Sequence, residues 1–310
     1  MSEPRMRWIA EDPASKALIE LAQKVAETAT TLLIVGESGT GKDHLARLIH
    51  EMGPRRDAPF LKIDCASLPQ ELVESELFGH ERGAFTGAVE RKLGRLEMAG
   101  AGTIVLDEVA ALSPATQSKL LRVLEERQFE RLGGTETISI DARLVALTNA
   151  DLARLVADGQ FRQDLFFRLS VLTIPVPALR ERPADILPLA DALLERAARV
   201  HGRQGATFAE PVRRMLASYS WPGNVRELKN SIERALVFST ASALTSENFP
   251  ESVRNAGSGI SGSLRSLEQI EQEAIRATLE AMRYKISQSA KILGISRKTL
   301  LDKRKKYGLN

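Results

Sequence analysis

Five short apolar runs recur in the first half of the chain, at residues 32–35, 60–63, 103–106, 144–148 and 171–176. They are continuous rather than alternating, with helical stretches between them. This pattern predicts strands buried on both faces, in a parallel sheet covered by helices on each side. Such sheets bind ligands beyond the carboxyl ends of their strands. After Pro177 the pattern changes. Residues 186–199, 210–219 and 225–238 carry apolar positions at three- and four-residue spacing, predicting a small unit made only of helices. Residues 255–263, NAGSGISGS, predict a flexible linker, and helical patterning resumes at Leu267.

Composition narrows the class without naming it. The chain has 310 residues, 43% hydrophobic and 27% charged, in the ordinary range of soluble globular proteins. No apolar run approaches the ~18 residues of a membrane span, and the start, MSEPRMRW, lacks the apolar core of a signal peptide. A single cysteine, Cys65, excludes an internal disulfide and is expected as buried packing. These features predict a cytoplasmic protein with no membrane partner. The net charge of +3 is uneven. Residues 285–310 hold eight basic side chains and one acid, a balance of +7, which leaves −4 on residues 1–284. A basic tail of this kind is either a solvated face or a nucleic-acid footprint.

The chemistry-bearing motifs follow strand ends. Gly36, Glu37, Ser38, Gly39, Thr40, Gly41 and Lys42 match G-x-x-x-x-G-K after the first apolar run. There, backbone amides and a helix start cradle phosphates, and the lysine adds a point charge. Asp43 stands where the general pattern places a Ser or Thr hydroxyl on the metal. Residues 104–108, IVLDE, end the third run in two acids. In that position Asp107 would hold Mg²⁺, directly or through water, and Glu108 would orient and deprotonate an attacking water. Between these motifs lie Gly83, Ala84, Phe85, Thr86, Gly87 and Ala88, reading GAFTGA. Glycines around an aromatic ring and a hydroxyl suit a mobile loop with a sticky tip. Taken alone, the hexamer reads better as a plain turn with Phe85 tucked inward.

In this order and spacing the motifs resemble the sigma-54-dependent transcription activators, and the resemblance covers residues 10 to 310. It implies an α/β AAA+ P-loop domain (parallel sheet, helices on both faces) at 10–178, preceded by a short extension at 1–9. A helical lid would follow at 179–248, a linker at 249–265 and an all-α Fis-type helix-turn-helix domain at 266–310. ATP and Mg²⁺ are the implied cofactors. Gly83 to Ala88 would be the loop that touches sigma-54, with Phe85 and Thr86 in contact. Members of the family commonly carry an acid where Asp43 stands. Asn149, after the fourth apolar run, is similar to the sensor I position that lines up water and γ-phosphate. Residues 161–169, FRQDLFFRL, resemble the family's FRxDLxxRL segment, making Arg162 and Arg168 arginine fingers for a neighbouring subunit. A ring, hexameric at full size, is then implied. The alternative for Arg162 is a surface ion pair with Asp164. Residues 221–228, WPGNVREL, resemble the sensor II motif, with Pro222 and Gly223 in the turn, Asn224 capping the next helix and Arg226 as the sensor. Asp64 stands where the family often has Asn, and would put a like charge near Glu108. His80 is expected to be structural.

Residues 287–300 read as helix, turn, helix, with Gly294 in the turn, Ile295 and Leu300 in the core and Ser296 as cap. Arg297, Lys298 and Thr299 fall at the end that meets base edges, while Lys303, Arg304 and the lysines after them would follow phosphates. Leu301 and Asp302 depart from the usual Fis-type residues. The apolar stretch 267–282 is expected to support dimers on a palindromic site. The function implied is a sigma-54-dependent activator that binds upstream double-stranded DNA. It would couple ATP hydrolysis to remodelling of the sigma-54 RNA polymerase closed complex, as a homo-oligomer ranging from dimer to hexameric ring. With no sensory domain ahead of residue 10, a regulatory protein acting in trans is one expected source of control. Two alternatives stand beside this reading. One is an AAA+ ATPase acting on another protein. The other is a DNA-binding regulator with little ATPase activity.

Overall fold

A computed structural model describes residues 8–254, 271–272, 275–276, 278–279, 282 and 285–308. They fall into two compact units, each described by itself.

The larger unit opens with α1 (Pro13–Ala26), started by Pro13 and capped by Asp12, whose side chain accepts from the Ala14 amide at 3.0 Å. There follow β1 (Leu32–Val35), α2 (Lys42–Met52), β2 (Phe60–Asp64), α3 (Gln70–Phe78), β3 (Gly79–His80), β4 (Lys92–Leu93), α4 (Arg95–Met98) and β5 (Thr103–Asp107). Then come α5 (Pro114–Glu126), the antiparallel pair β6 (Gln128–Glu130) and β7 (Thr137–Ser139), β8 (Arg143–Thr148), α6 (Leu152–Ala157), α7 (Gln163–Leu169) and β9 (Leu172–Pro175). The sheet is parallel throughout, in the order β2-β5-β8-β1-β9. All five predicted runs are strands of it.

Side chains alternate across this sheet. Leu32 and Ile34 of β1, Val105 of β5, and Val145 and Leu147 of β8 pack with α1 and α2 on one face. Leu33, Ile104, Leu106, Leu144 and Ala146 pack with α3, α5 and α7 on the other. Burial on both faces explains why the runs are continuously apolar.

The chain then builds the predicted helical unit from α8 (Pro183–Val200), β10 (Thr207–Phe208), α9 (Glu210–Ser218), α10 (Asn224–Phe238), β11 (Ala243–Leu244) and α11 (Glu251–Arg254). The short β10 and β11 pair in parallel, so the unit is not made only of helices as its pattern predicts. Its core gathers Ile186, Leu193, Leu216, Leu228 and Ile232 around the fully buried Trp221. Buried Asp185 on α8 accepts the Glu11 and Asp12 amides, each at 2.8 Å, and the Ser15 hydroxyl, tying the segment before α1 to the lid.

In the smaller unit, helix Ile286–Ile292 leads through Gly294 (φ 63) to helix Arg297–Lys306. Ser296 caps the second helix through the Thr299 amide at 3.0 Å. Ile275, Leu279, Ala290 and Leu300 form its core, as the helix-turn-helix reading expects. Residues 249–254, expected to begin the linker, instead pack Phe249 and Val253 into the lid core; the Gly/Ser-rich stretch 255–263 lies outside the described residues, as does most of the stretch 267–282.

Candidate nucleotide site and partner loop

β1 ends at the phosphate loop, and α2 begins at Lys42 immediately after it. Lys42 is buried and folds back, its Nζ donating to the Gly36 carbonyl at 2.8 Å and the Glu37 carbonyl at 3.2 Å. Burial pulls its pKa down, against the pull of Glu108 and Asp107. The lid closes over this loop. Gly39 has φ 79, and a Cβ there would sit 2.5 Å from the Gly223 carbonyl. Glycine is required at this point both by backbone and by space.

The polar contacts across the closure use residues that sequence reading placed differently. Asn224 does not cap α10. It begins that helix with a left-handed φ of 53, and its side chain accepts from the Leu179 amide at 2.8 Å and donates to Glu37 and the Ser38 carbonyl. Glu227 takes the capping role by accepting from the Gly223 amide at 2.8 Å. Arg180, which no motif pointed to, grips Glu37 with both terminal guanidinium nitrogens, Nη1 and Nη2. Arg180 and Asn224 together hold the Glu37 carboxyl down at about 2. Arg226, the expected sensor II residue, donates to the Ser38 hydroxyl at 2.7 Å.

Asp107 and Glu108 lie at the end of β5, as expected. Glu108 sits at φ 52, an uncommon backbone state for a non-glycine residue and one that clusters at functional sites. Its carboxylate accepts from the backbone amide of Asn149 at 3.3 Å, which joins two expected catalytic residues. Asp107 accepts from the Glu108 amide at 3.1 Å through one oxygen and from Lys62 at 2.8 Å through the other. Lys62 also pairs with Asp43 at 3.1 Å. Burial opposes charge on Lys62, yet its bonds to the two acids outweigh that and raise its pKa. Asp64 lies in register with Asp107, next to Glu108, and one of its oxygens accepts from the Ala66 and Ser67 amides at 3.0 and 3.1 Å. Cys65 is buried as expected, and burial with nearby acids pushes its thiol up to about 12.

Beside the loop lies a cavity of about 60 Å³ lined by Trp8, Ile9, Gly41, His44, Arg182 and Val225 among others. The Trp8 indole stacks on His44 at 5.5 Å between centroids, and the Arg182 guanidinium lies 5.4 Å from the indole. Trp8 Nε1, His44 Nε2 and Arg182 Nε are buried there without hydrogen-bond partners among the described residues. The space is smaller than a purine, so a base could enter here only if these side chains move apart.

The GAFTGA segment forms the tip of a loop that leaves β3 and returns at β4, a pair bonded antiparallel. Gly83 and Gly87 have φ of 83 and 106, and the Gly83 amide closes the tip on the Ala88 carbonyl at 2.8 Å. Phe85 is 41% exposed, its ring edge-on to His80 at 5.0 Å between centroids. His80 is buried and bonded to the Ser75 hydroxyl at 2.8 Å, a structural placement. Thr86 is exposed. The stem is fastened to the loop between β6 and β7. The Arg131 side chain, only 2% exposed, binds Glu97 at 2.7 Å, Glu81 at 3.0 Å and Glu136 at 2.7 Å. Sequence reading missed this hub.

Arg162, the N-cap of α7, pairs with Asp164 at 2.7 Å and donates to the Ser118 hydroxyl at 3.0 Å. That is the ion pair foreseen as the alternative. Arg168 makes one long bond of 3.5 Å to the Leu124 carbonyl. Phe167 between them is 61% exposed and Val171 54%. In the smaller unit Arg297 and Lys298 are exposed, whereas the Thr299 hydroxyl pairs with Ser296 at 2.7 Å. Lys303 forms a partly exposed ion pair with Glu271. Arg304 is partly buried.

The chain matches the Sigma-54 interaction domain over residues 8–175, an AAA+ ATPase lid domain over 180–263 and the bacterial regulatory protein Fis family over 266–307. It is similar to nitrogen fixation protein VnfA of Azotobacter vinelandii, with 46% identity over 304 residues covering 96% of this chain and 58% of that protein. It is also similar to the alginate biosynthesis transcriptional regulatory protein AlgB of Pseudomonas aeruginosa, with 45% identity over 299 residues covering 96% and 66%. This chain therefore spans less than two thirds of the length of either relative. NtrX of Brucella abortus, solved in complex with ATP, shares 34% identity at a TM-score of 0.75, covering 98% of this chain and 70% of that one.

Proposed function

We propose that this chain, which belongs to the sigma-54-dependent activator family, is a ring-forming ATPase that binds upstream DNA and remodels the closed complex of sigma-54 RNA polymerase. The observation that carries the reading is the exposed Phe85–Thr86 tip on a stem fastened by Arg131, in the same compact unit as the phosphate loop and the Asp107–Glu108 strand end.

ATP would place its phosphates on the amides of the loop and its base in the Trp8–His44–Arg182 cavity. Hard carboxylate oxygens suit Mg²⁺, so Asp107, with Asp43 beside it, would hold that ion, whose chemistry is to neutralise charge on the phosphates. Lys42, released from the Gly36 carbonyl, would face phosphate oxygens. Glu108 would take the proton of the attacking water as the γ-phosphorus–oxygen bond to ADP breaks. Arg162 and Arg168 would serve a neighbouring protomer, where a planar guanidinium matches charge on the transferring group. Exposed Phe167 and Val171 suit a covered ring face.

The Cys65 amide binds the Asp107 carbonyl at 2.9 Å, and the chain runs from Cys65 through α3 into the stem of the loop. A shift at Asp107 and Glu108 thus has a short backbone route to Phe85, and the loop is the two-state element that such coupling needs. Arg297 and Lys298 would read base edges.

The test is open-complex formation at a sigma-54 promoter with ATP, using wild type, Thr86→Ala and Glu108→Gln. Wild type should open the promoter. Thr86→Ala should hydrolyse ATP without opening it, and Glu108→Gln should bind ATP without turnover. Wild-type ATP hydrolysis with a promoter that never opens would favour another protein target, the alternative reading.

A further inference from the structure

Two lysines sit at the nucleotide end of the sheet, and they hold different partners. Lys42 is satisfied by backbone carbonyls of the phosphate loop. Lys62, on β2, reaches only carboxylates, those of Asp107 at 2.8 Å and Asp43 at 3.1 Å. Asp107 ends β5 and Asp43 lies in the first turn of α2, so the ammonium bridges two separate elements. The general phosphate-loop pattern has a hydroxyl where Asp43 stands and assigns no role to residue 62.

Two acids converging on one point would attract a divalent cation through hard oxygens. The ammonium changes that balance. It reduces the local charge of the pair from −2 to −1 and uses one oxygen of each carboxylate. Among the described residues, no group of three or more metal-type side chains gathers anywhere. Phosphate oxygens would therefore supply ligands that the protein lacks. A cation that comes with the nucleotide can compete with Lys62 on better terms than one that comes alone.

We propose that Lys62 is a resident counter-cation of the nucleotide site, holding Asp43 and Asp107 together before nucleotide arrives and keeping a free divalent ion from occupying the site ahead of it. The inference rests on the reading of Asp107 as the residue facing the nucleotide's cation. It makes Lys62 a positioning residue, since it acts through the two acids and not on the phosphates.

The experiment is a Mn²⁺ titration of the nucleotide-free full chain, with free Mn²⁺ read by electron paramagnetic resonance. It compares wild type with Lys62→Met, Lys62→Gln, Lys62→Arg and the double variant Lys62→Met/Asp43→Asn. Both neutral variants should bind Mn²⁺ about tenfold more tightly than wild type, the Coulombic effect of a unit charge roughly 6 Å from a divalent ion under water-like screening. Lys62→Arg should match wild type, and Asp43→Asn should erase the gain. An ordinary surface ion pair would leave all these affinities alike. ATP binding without metal, followed in parallel, separates two kinds of failure. Wild-type ATP affinity with unchanged Mn²⁺ affinity in both neutral variants overturns the inference alone. A wild type that binds no ATP overturns the nucleotide reading and the inference together.

Discussion

The phosphate loop and the GAFTGA loop are both rich in glycine, and the reasons differ. Gly39 is pinned, because a Cβ there would collide with the Gly223 carbonyl at 2.5 Å and press on Arg226. Gly83 and Gly87 share its positive φ, yet a Cβ on either would meet nothing within 4 Å. One loop is a socket whose shape is set by its surroundings, with Glu37, Ser38 and Gly39 all held by residues of the hinge and lid. The other is a tip whose two glycines stand in open space, with Ala84 close to Gly133, the Phe85 ring on His80 and a stem fixed by Arg131. The proposed coupling of hydrolysis to a partner would use this division, with a fixed stem carrying an open tip.

Substitutions sharpen that contrast, and the largest effect falls on the socket. Gly39→Ala should cost about 3 kcal/mol, from left-handed backbone strain plus a collision with fixed backbone. Urea unfolding and ATP titration should show lower stability and lost binding. Arg131→Met comes next, at about 2 kcal/mol. Three carboxylates lose their partner, but their access to solvent softens the full cost of a broken buried pair. This variant should still hydrolyse ATP and lose promoter opening, because the stem is loosened and the socket is not. Gly83→Ala should cost about 1 kcal/mol, the backbone strain alone, with ATP turnover unchanged. If it costs as much as Gly39→Ala, the tip is packed and the contrast fails. The smallest effect is one of pH. Glu37 is held at about 2, below its ordinary 4.5, by Arg180 and Asn224. Its contribution is therefore complete above about pH 4.5 and drains away as pH falls toward 2. Thermal unfolding of Glu37→Gln should lack the part of the acid slope that wild type shows in that window.

The sheet could be read from the chain because strands buried on both faces leave unbroken apolar runs, and the helical unit because its buried stripe repeats at the helical period. The phosphate loop, Asp107–Glu108 and the GAFTGA tip could be read because each is contiguous in sequence. Lys62, Arg131 and Arg180 could not. Their partners lie 19 and 45, up to 50, and 143 residues away, and no local pattern marks a side chain whose purpose is set by a distant one. Asn224 was misread for a related reason. A turn followed by Asn looks like a cap, and only the fold shows that the amide is used across the closure to Ser38. The strand position of Asp64 could be read, but not the two turn amides that one of its oxygens accepts from.

Cys65 is the chain's single thiol, and at about 12 its ionisation lies far above neutral pH. Thiolate is the species that reacts with maleimides and disulfides, so this buried, protonated side chain should label slowly at neutral pH. The wild-type sequence is therefore already a blank background. A spin label or fluorophore attached to one cysteine introduced on the exposed rim of the loop, at Glu90, would report from that place alone, with no native cysteine to remove first.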